Sequence, residues 1–301
     1  MQNNIDKTKM FAHILAGFTA IVWGTTFIST KVLLESFHPI EILIYRFFIG
    51  YCILWLIRPK RLHFQGFKRE LWYLLAGMSG VTIYFLCENI SLTMTQAGNA
   101  SVIVSTAPMF TAIFAFLTLK TEKPTRYFWM GFALAIAGIV LINVNAIHMS
   151  TSNLKGDFLA LAAAAVWGVY SIILRKHVDT KSDVIVHTRR VIFYGLLTMI
   201  PCGLVMGFQL EPQVLFQPVN IGNLLFLGML ATAAGYVTWN FALEHLGVMK
   251  ASVYIYIVPV ITIITSAIIL KEQVTLPGLA GCALTIAGLV VSEKKKKNID
   301  E

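Results

Sequence analysis

An acidic residue stands inside an apolar stretch of this sequence. The segment "YFLCENISL" places Glu88 and Asn89 among hydrophobic neighbours. A carboxylate is costly to keep in hydrocarbon, so Glu88 is expected to face a cavity or a partner. It could bind the ammonium group of a small molecule or take up a proton. The structural alternatives are an ion pair with Arg46 and a hydrated position near an aqueous boundary.

Cationic side chains occur near the beginnings of two other apolar stretches. Arg46 lies in the first, and "HTRR" places His187, Arg189 and Arg190 in the second. Arg46 and Arg190 could act as gates or hold a carboxylate, and His187 could relay a proton near neutral pH. A plain interfacial histidine is the alternative for His187. Arg189 is expected to extend to the lipid headgroups, as long cationic side chains usually do.

Aromatic rings, amides and two prolines complete the candidate binding residues. Aromatic rings can stack on a planar molecule or cover a cation, although they are also common in packing and at membrane interfaces. Pro108 and Pro259 could bend their helices and free carbonyl groups beside a cavity, with a plain kink as the alternative. Together with Glu88 and Asn89, the other predicted cavity residues are Trp23, Trp167, Tyr170, Trp239, Asn240, Tyr254 and Tyr256.

The elements that must position these residues are predicted to be membrane-spanning helices. Of the 301 residues, 57% are hydrophobic and 13% are charged, and the mean hydropathy is +0.72. Soluble domains average about 45–50% apolar and about 25% charged residues. Runs of about 20 apolar residues can cross a bilayer as helices, and continuous rather than alternating hydrophobicity argues against barrel strands.

Ten such runs fill almost the whole chain, which predicts an all-α polytopic membrane protein. They cover residues 11–32, 39–57, 71–92, 97–119, 127–144, 158–174, 184–208, 221–243, 251–270 and 276–291. The four cysteines lie inside these runs without CxxC spacing, so neither a disulfide nor a zinc site is predicted.

Basic residues cluster in connections that fall on one side of the membrane. The clusters lie at residues 58–69, 120–126, 175–181 and 293–297. With ten crossings, this arrangement puts most of the 24 Lys and Arg residues on the same side as both termini. The positive-inside rule therefore predicts cytoplasmic termini. Topology accounts for the net charge of +9, and nucleic acid is not an expected partner.

The chain also contains an internal repeat. "GFALAIAGIV" at residues 131–140 and "GCALTIAGLV" at residues 281–290 agree at seven of ten positions. Neighbouring matches have similar offsets: "VWG" at residues 22–24 recurs at residues 166–168, and Pro108 recurs as Pro259. A duplicated unit explains matches that continue along the chain in the same order.

Because each unit has five spans, the second must cross the membrane in the opposite direction to the first. We therefore predict two inverted five-helix repeats, residues 1–150 and 151–293, followed by a basic cytoplasmic tail at 294–301. Small residues give the fifth span of each repeat a flat stripe, which is expected to pack helices together or, alternatively, to form a homodimer interface. Glu88 aligns with Trp239, so the repeats diverge at the acidic position.

Several of these segments resemble one family. They are "AIVWGTTF" and "AAVWGVYS", "GNASVIVSTAPMFTAIFAFLTLKTEKPT" and "VMKASVYIYIVPVITIITSAIILKEQVT", and the closing "AGIVLI" and "AGLVVS". In order and duplication they are similar to the EamA group of the drug/metabolite transporter superfamily. The resemblance covers both halves and implies ten helices, two inverted repeats and movement of small metabolites, commonly amino acid export.

The predicted function is secondary active transport of small metabolites across the cell membrane by alternating access, with amino acids as expected substrates and export as the expected direction. The expected partners are a small molecule, the lipid bilayer and a co-transported proton. Efflux of cationic amines or drugs is the alternative. The remote alternatives are a membrane-embedded enzyme and a sensor. The first is disfavoured because the sequence contains no HExxH, GxSxG or Walker motif, and the second because no soluble domain is predicted. No cofactor or metal is predicted.

Overall fold

The computed structural model describes residues 2–61, 63–64, 66–119, 125–143, 151–178, 183–246 and 254–292, and its regular elements there are all helical. The helices of the first half are α1 (Gln2–Leu33), α2 (Pro39–Ile57), α3 (Phe67–Met94), α4 (Ala97–Val104 and Ala107–Leu119) and α5 (Arg126–Asn143). Those of the second half are α6 (Thr151–His177), α7 (Val184–Met206), α8 (Pro218–Leu225, Phe226–Ala234 and Gly235–Leu246), α9 (Val258–Thr265 and Ser266–Leu270) and α10 (Leu276–Ser292). A short helix, Pro212–Leu215, lies between α7 and α8.

Each of the ten predicted runs corresponds to one of these helices. Seven helices are long and apolar enough to cross a membrane, and α5, α9 and α10 are shorter apolar helices. The largest differences concern α1, which begins before the predicted run 11–32, and α6, which extends beyond the predicted run 158–174 at both ends, because polar residues continue both helices. The predicted tail at 294–301 lies outside the described residues. All four cysteines are free thiols.

The helices that contain the two similar decapeptides, α5 and α10, pack against each other in antiparallel orientation. A Cβ atom added to Gly138 would lie 2.6 Å from the carbonyl oxygen of Gly281, and one added to Gly288 would lie 2.6 Å from that of Gly131. Only residues without a side chain permit such an approach. The small-residue stripe therefore packs within the chain, and the alternative that it forms a subunit interface is wrong. A homodimer stays a prediction with no surface assigned to it.

The "VWG" glycines let the first helix of each half contact the proline-containing helix of the other half. A Cβ atom on Gly24 of α1 would lie 3.1 Å from the carbonyl oxygen of Val258 in α9, and the Thr262 hydroxyl donates to the Gly24 carbonyl at 2.8 Å. Likewise, a Cβ atom on Gly168 of α6 would lie 3.0 Å from the Thr111 nitrogen in α4. The two halves are thus interleaved.

Two π-helical segments occur at equivalent places in the repeats. Residues Met78–Ile83 form one in α3, and Phe226–Ala234 form one in α8. The "GM" pairs at 77–78 and 228–229 mark their equivalence in the sequence. A π turn holds more residues than an α turn and often occurs at functional sites. Both segments lead directly into the residues of the candidate site.

Candidate functional site

Arg46 of α2 and Glu88 of α3 lie together in the interior of the bundle. Each residue is 3% exposed, and the two charges interact electrostatically. Within the part of the chain that the structure describes, neither forms a salt bridge within 4.0 Å. Glu88 is therefore not directly ion-paired with Arg46 in the described part of the chain, and it is buried rather than exposed at an aqueous boundary. An acidic and a basic side chain thus lie near each other in the interior without a direct salt bridge.

Three neighbouring side chains hold the guanidinium group of Arg46. Its Nε donates a hydrogen bond to Thr232 Oγ1 of α8 at 2.9 Å. Its Cζ lies 4.4 Å from the ring centre of Phe85 and 5.4 Å from that of Phe47, which are cation–π distances. A guanidinium has five N–H donors, so the bond to Thr232 leaves donors available to an anion.

Two tyrosines that sequence reasoning did not select complete the polar part of the cluster. Tyr84, the first residue after the π segment of α3, lies one helical turn before Glu88, and the two side chains interact electrostatically. Tyr236 of α8 interacts electrostatically with both Arg46 and Glu88, and it is 7% exposed. Its hydroxyl has no hydrogen-bond partner among the described residues. Because an unsatisfied buried hydroxyl is destabilising, this group is suited to a bound ligand or water.

The tryptophans of the two "VWG" segments each pack against other aromatic rings near the cluster of Arg46 and Glu88. The Trp23 ring lies 5.3 Å from that of Trp239, and its Nε1 donates to the Ala231 carbonyl at 3.1 Å. The Trp167 ring lies 4.8 Å from Tyr84 and 5.0 Å from Tyr170. Trp23 of the first half therefore packs against α8 of the second half, and Trp167 of the second half packs against α3 of the first.

The structure thus brings several predicted site residues together around one buried centre. They are Trp23, Arg46, Glu88, Trp167, Tyr170 and Trp239. Asn240 is half-buried on α8, one residue beyond Trp239.

Three other predicted cavity residues belong to different parts of the bundle. Asn89 is fully buried, and its Nδ2 donates to the Pro39 carbonyl at 3.2 Å, which ties α3 to the start of α2. The Tyr254 hydroxyl lies 2.9 Å from Nδ1 of His13, near the beginning of α1. Tyr256 packs in a separate hydrophobic cluster shared by α4, α5 and α10.

The two prolines begin helices rather than bend continuous ones. Pro108 is the second residue of Ala107–Leu119, after α4 is interrupted at residues 105–106. Pro259 is the second residue of Val258–Thr265. Proline fits the first turn of a helix, where its missing N–H has no intrahelical partner to lose. The predicted mid-span kink is therefore a break, and the neighbouring backbone is used for packing against the "VWG" glycines.

Arg190 occupies a different environment from its repeat equivalent, Arg46. Its Nε lies 2.9 Å from Glu70 Oε2, a second contact makes the pair bidentate, and the Tyr194 hydroxyl donates to the same Glu70 oxygen at 2.7 Å. Glu70 thus neutralises Arg190 near the beginnings of α3 and α7. His187 is 2% exposed and is hydrogen-bonded to the Tyr73 hydroxyl, so it is buried between helices near the beginning of α7.

Arg189 is not extended along the surface of the bundle, contrary to expectation. It is 5% exposed, and its guanidinium donates to the backbone carbonyls of Arg58 and Lys60. Its Cζ lies 4.1 Å from the ring centre of Trp55. The chain that follows α2 folds back over the start of α7 and supplies acceptors that spacing along the sequence does not reveal.

A polar connection at the opposite end links the two halves and was not predicted. Lys31 Nζ, at the end of α1, lies 2.7 Å from Glu272 Oε1, beyond α9, and 2.8 Å from the Thr95 carbonyl oxygen. The same Glu272 oxygen accepts from the Ala97 nitrogen at 2.9 Å, at the start of α4. One carboxylate thereby joins α1, α4 and α9.

Comparison with known proteins places this architecture in a family. Residues 10–144 and 154–293 each match the sequence model of the EamA-like transporter family. This chain belongs to that family. It is therefore a multi-pass membrane transporter made of two EamA halves, and it acts on a small-molecule substrate rather than as an enzyme.

Individual relatives match between about three quarters and nearly all of the chain. An uncharacterized transporter of Archaeoglobus fulgidus is 29% identical over 94% of this chain and 98% of its own length. A probable terminal-alkyne amino-acid exporter of Streptantibioticus cattleyicolor is 28% identical over 73% of this chain and 72% of its own length. A solved structure described as "Crystal structure of protein" matches with a TM-score of 0.64 over 93% of this chain and 96% of that one, at 19% identity. The last similarity concerns the fold alone.

Proposed function

We propose that this EamA-like transporter exports amino acids or closely related zwitterions across the cytoplasmic membrane. The supporting observation is the buried cluster of Arg46, Glu88 and Tyr236, in which two opposite charges are held near each other without a salt bridge. A zwitterion offers the complementary pair. Its carboxylate would accept hydrogen bonds from Arg46 and the Tyr236 hydroxyl, and its ammonium group would donate to Glu88.

Alternating access between the halves is the transport mechanism that we propose. Equivalent helices α5 and α10 run antiparallel, and the site lies where α2 and α3 of one half meet α8 of the other. An inverted repeat can expose such a site to each side in turn. We assign residues 1–150 and 151–293 to the two repeats, and we place both termini in the cytoplasm on the basis of the basic clusters.

Proton coupling is the mode of energy input that we propose, with Glu88 as the proton carrier. Glu88 is the acid of the cluster, and the fixed positive charge of Arg46 acts on it from α2. A carboxylate that releases an ammonium ligand in this buried setting can take up a proton in its place, because either one removes the cost of an uncompensated charge. Substrate and proton would then occupy Glu88 alternately.

Efflux of cationic amines is a second candidate because of the aromatic rings near Glu88. Tyr84 lies one helical turn before Glu88, and Trp167 lies against Tyr84, so an organic cation could pack against these rings. Arg46 disfavours this candidate because a fixed cation repels a substrate that carries only positive charge. Amines and amino acids should therefore respond in opposite ways when the Arg46 charge is removed.

Flux measurements in proteoliposomes would test both functions. The purified protein would be reconstituted and offered a panel of radiolabelled amino acids and amines, with and without a pH gradient. Gradient-dependent flux of an amino acid supports the first proposal, and flux of amines alone supports the second. Absence of flux for every amino acid and amine contradicts both.

A further inference from the structure

A cavity lies away from the central cluster, in the seam between α2 and α7. Its volume is about 230 Å³. Arginines and aromatic residues line it: Tyr51, Trp55, Arg61, Arg189, Arg190 and Tyr194, with Phe193 beside them. None of these side chains takes part in the proposed substrate site, so the cavity requires a separate explanation.

Positive charge is in excess around this cavity. Arg190 is paired with an acid of α3, and Arg58 lies 3.1 Å from Asp183. Arg61 and Arg189 have no carboxylate within 4.0 Å in the described part of the chain. Asp183 acts on Arg189 electrostatically, but Arg58 already binds it. Among the described residues, the guanidinium groups of Arg61 and Arg189 are therefore available to an external anion.

Arg189 is held in place before any ligand arrives. Two backbone carbonyls accept hydrogen bonds from its guanidinium, and the ring of Trp55 lies against it. These bonds use two of five N–H donors, so others remain for an anion. A donor that is already ordered loses little conformational freedom on binding. Arg61 is exposed at the rim and could close over the same ligand.

A hydrophobic surface begins where the cavity ends. Phe193, Leu197, Ile200 and Leu204 are exposed on α7 and are spaced three or four residues apart, so they form one face that leads away from the cavity. Exposed apolar side chains of a membrane helix contact acyl chains. Arg189 follows Val184, the first residue of α7, by five residues, or about 8 Å of helix, so it lies near one end of this membrane-spanning segment.

We propose that this cavity binds the headgroup of an anionic phospholipid. The phosphate would lie between Arg61 and Arg189, which match its oxygens as charged donors, and one acyl chain would follow the apolar face of α7. Basic pockets between membrane helices recognise anionic headgroups in this way. A zwitterionic lipid carries its own cation, which would meet the remaining positive charge and weaken binding.

Native mass spectrometry of the full-length protein in neutral detergent would test this proposal. Phosphatidylglycerol and phosphatidylcholine with identical acyl chains would be titrated separately, and inorganic phosphate would be added in a third series. The variants are Arg61→Gln and, as a matched control, Arg69→Gln, which removes an exposed arginine from the same end of the molecule. Lipid-free melting temperatures would establish that both variants fold.

One retained phosphatidylglycerol is expected, with little retention of phosphatidylcholine. Arg61→Gln should weaken this binding about five-fold, in line with the usual effect of one cation near an anionic lipid, while Arg69→Gln should leave it unchanged. Equal losses in the two variants would mean a diffuse basic surface and overturn the proposal. So would equal retention of both lipids, or complete displacement of phosphatidylglycerol by millimolar phosphate.

Discussion

Arg46 and Glu88 lie within one buried cluster but do not form a salt bridge. A direct pair would satisfy both charges and leave nothing for a ligand. Here Thr232 and two phenylalanine rings hold the guanidinium, and Tyr84 interacts with Glu88 one helical turn away. In the function that we propose, a substrate supplies the interactions that these two buried groups leave open.

Arg46→Gln should distinguish the two proposed substrate classes. Loss of a charged hydrogen bond costs about 1.5–3 kcal/mol, so the KM for an amino acid should rise by about ten-fold or more. Transport of a simple amine should be unchanged or improved, because a repulsive charge is gone. Substrate counterflow in proteoliposomes measures both. An equal loss of amine and amino acid transport would indicate that Arg46 only supports the fold.

Glu88→Gln should uncouple transport from the pH gradient. The amide has similar size but cannot carry a proton, so accumulation driven by the gradient should disappear. Glu35→Gln is the matched control because Glu35 is exposed at the end of α1. The measurement is substrate-dependent proton movement reported by a pH-sensitive dye inside the vesicles. Proton movement that persists in the Glu88 variant would remove Glu88 as the carrier.

Gly138→Ala should destabilise the contact between α5 and α10. The new methyl group would lie 2.6 Å from the Gly281 carbonyl, and overpacking of this kind typically costs about 1–3 kcal/mol. We expect a lower melting temperature in detergent. Gly222→Ala is the control, because nothing lies within 4 Å of the added atom. Equal melting temperatures for the two variants would contradict a tight contact between α5 and α10 at Gly138.

The connection between Lys31 and Glu272 should show energetic coupling in a double-mutant cycle of Lys31→Gln and Glu272→Gln. The Glu272 side chain is 10% exposed and also accepts a backbone hydrogen bond, so a coupling of about 0.5–3 kcal/mol is expected. The Arg58 and Asp183 pair is more exposed and should give less, about 0.2–1 kcal/mol. Thermal unfolding of the four proteins of each cycle provides the comparison, and additive effects at Lys31 and Glu272 would contradict it.

The sequence predicted the helices and the charged site residues for the same physical reason. Long apolar runs must span a membrane, and a carboxylate such as Glu88 is conspicuous inside one. Tyrosine is unremarkable in a membrane helix, so Tyr84 and Tyr236 could not be selected, and neither could the π segments that position them. Glu88 lies four residues after Tyr84, which is the spacing of side chains on one helix face and was the available signal.

Positions at helix ends were harder to predict because chain segments distant in sequence meet there. Arg189 is buried by the carbonyl groups that follow α2, and Lys31 meets an acid more than two hundred residues away. Tyr254 and Tyr256, although two residues apart, contact different neighbours. Repeat equivalence was also an incomplete guide, since Arg46 is central and Arg190 is paired with Glu70.

The crossing of α5 and α10 is symmetric, because equivalent glycines of the two antiparallel helices meet each other. Gly131 meets Gly288 and Gly138 meets Gly281, so each helix offers its partner the same patch that it receives. In an isologous contact of this kind, the two partner helices can have identical sequences. Two copies of a single five-helix unit, inserted in opposite directions, could therefore assemble through this crossing without the covalent link between them.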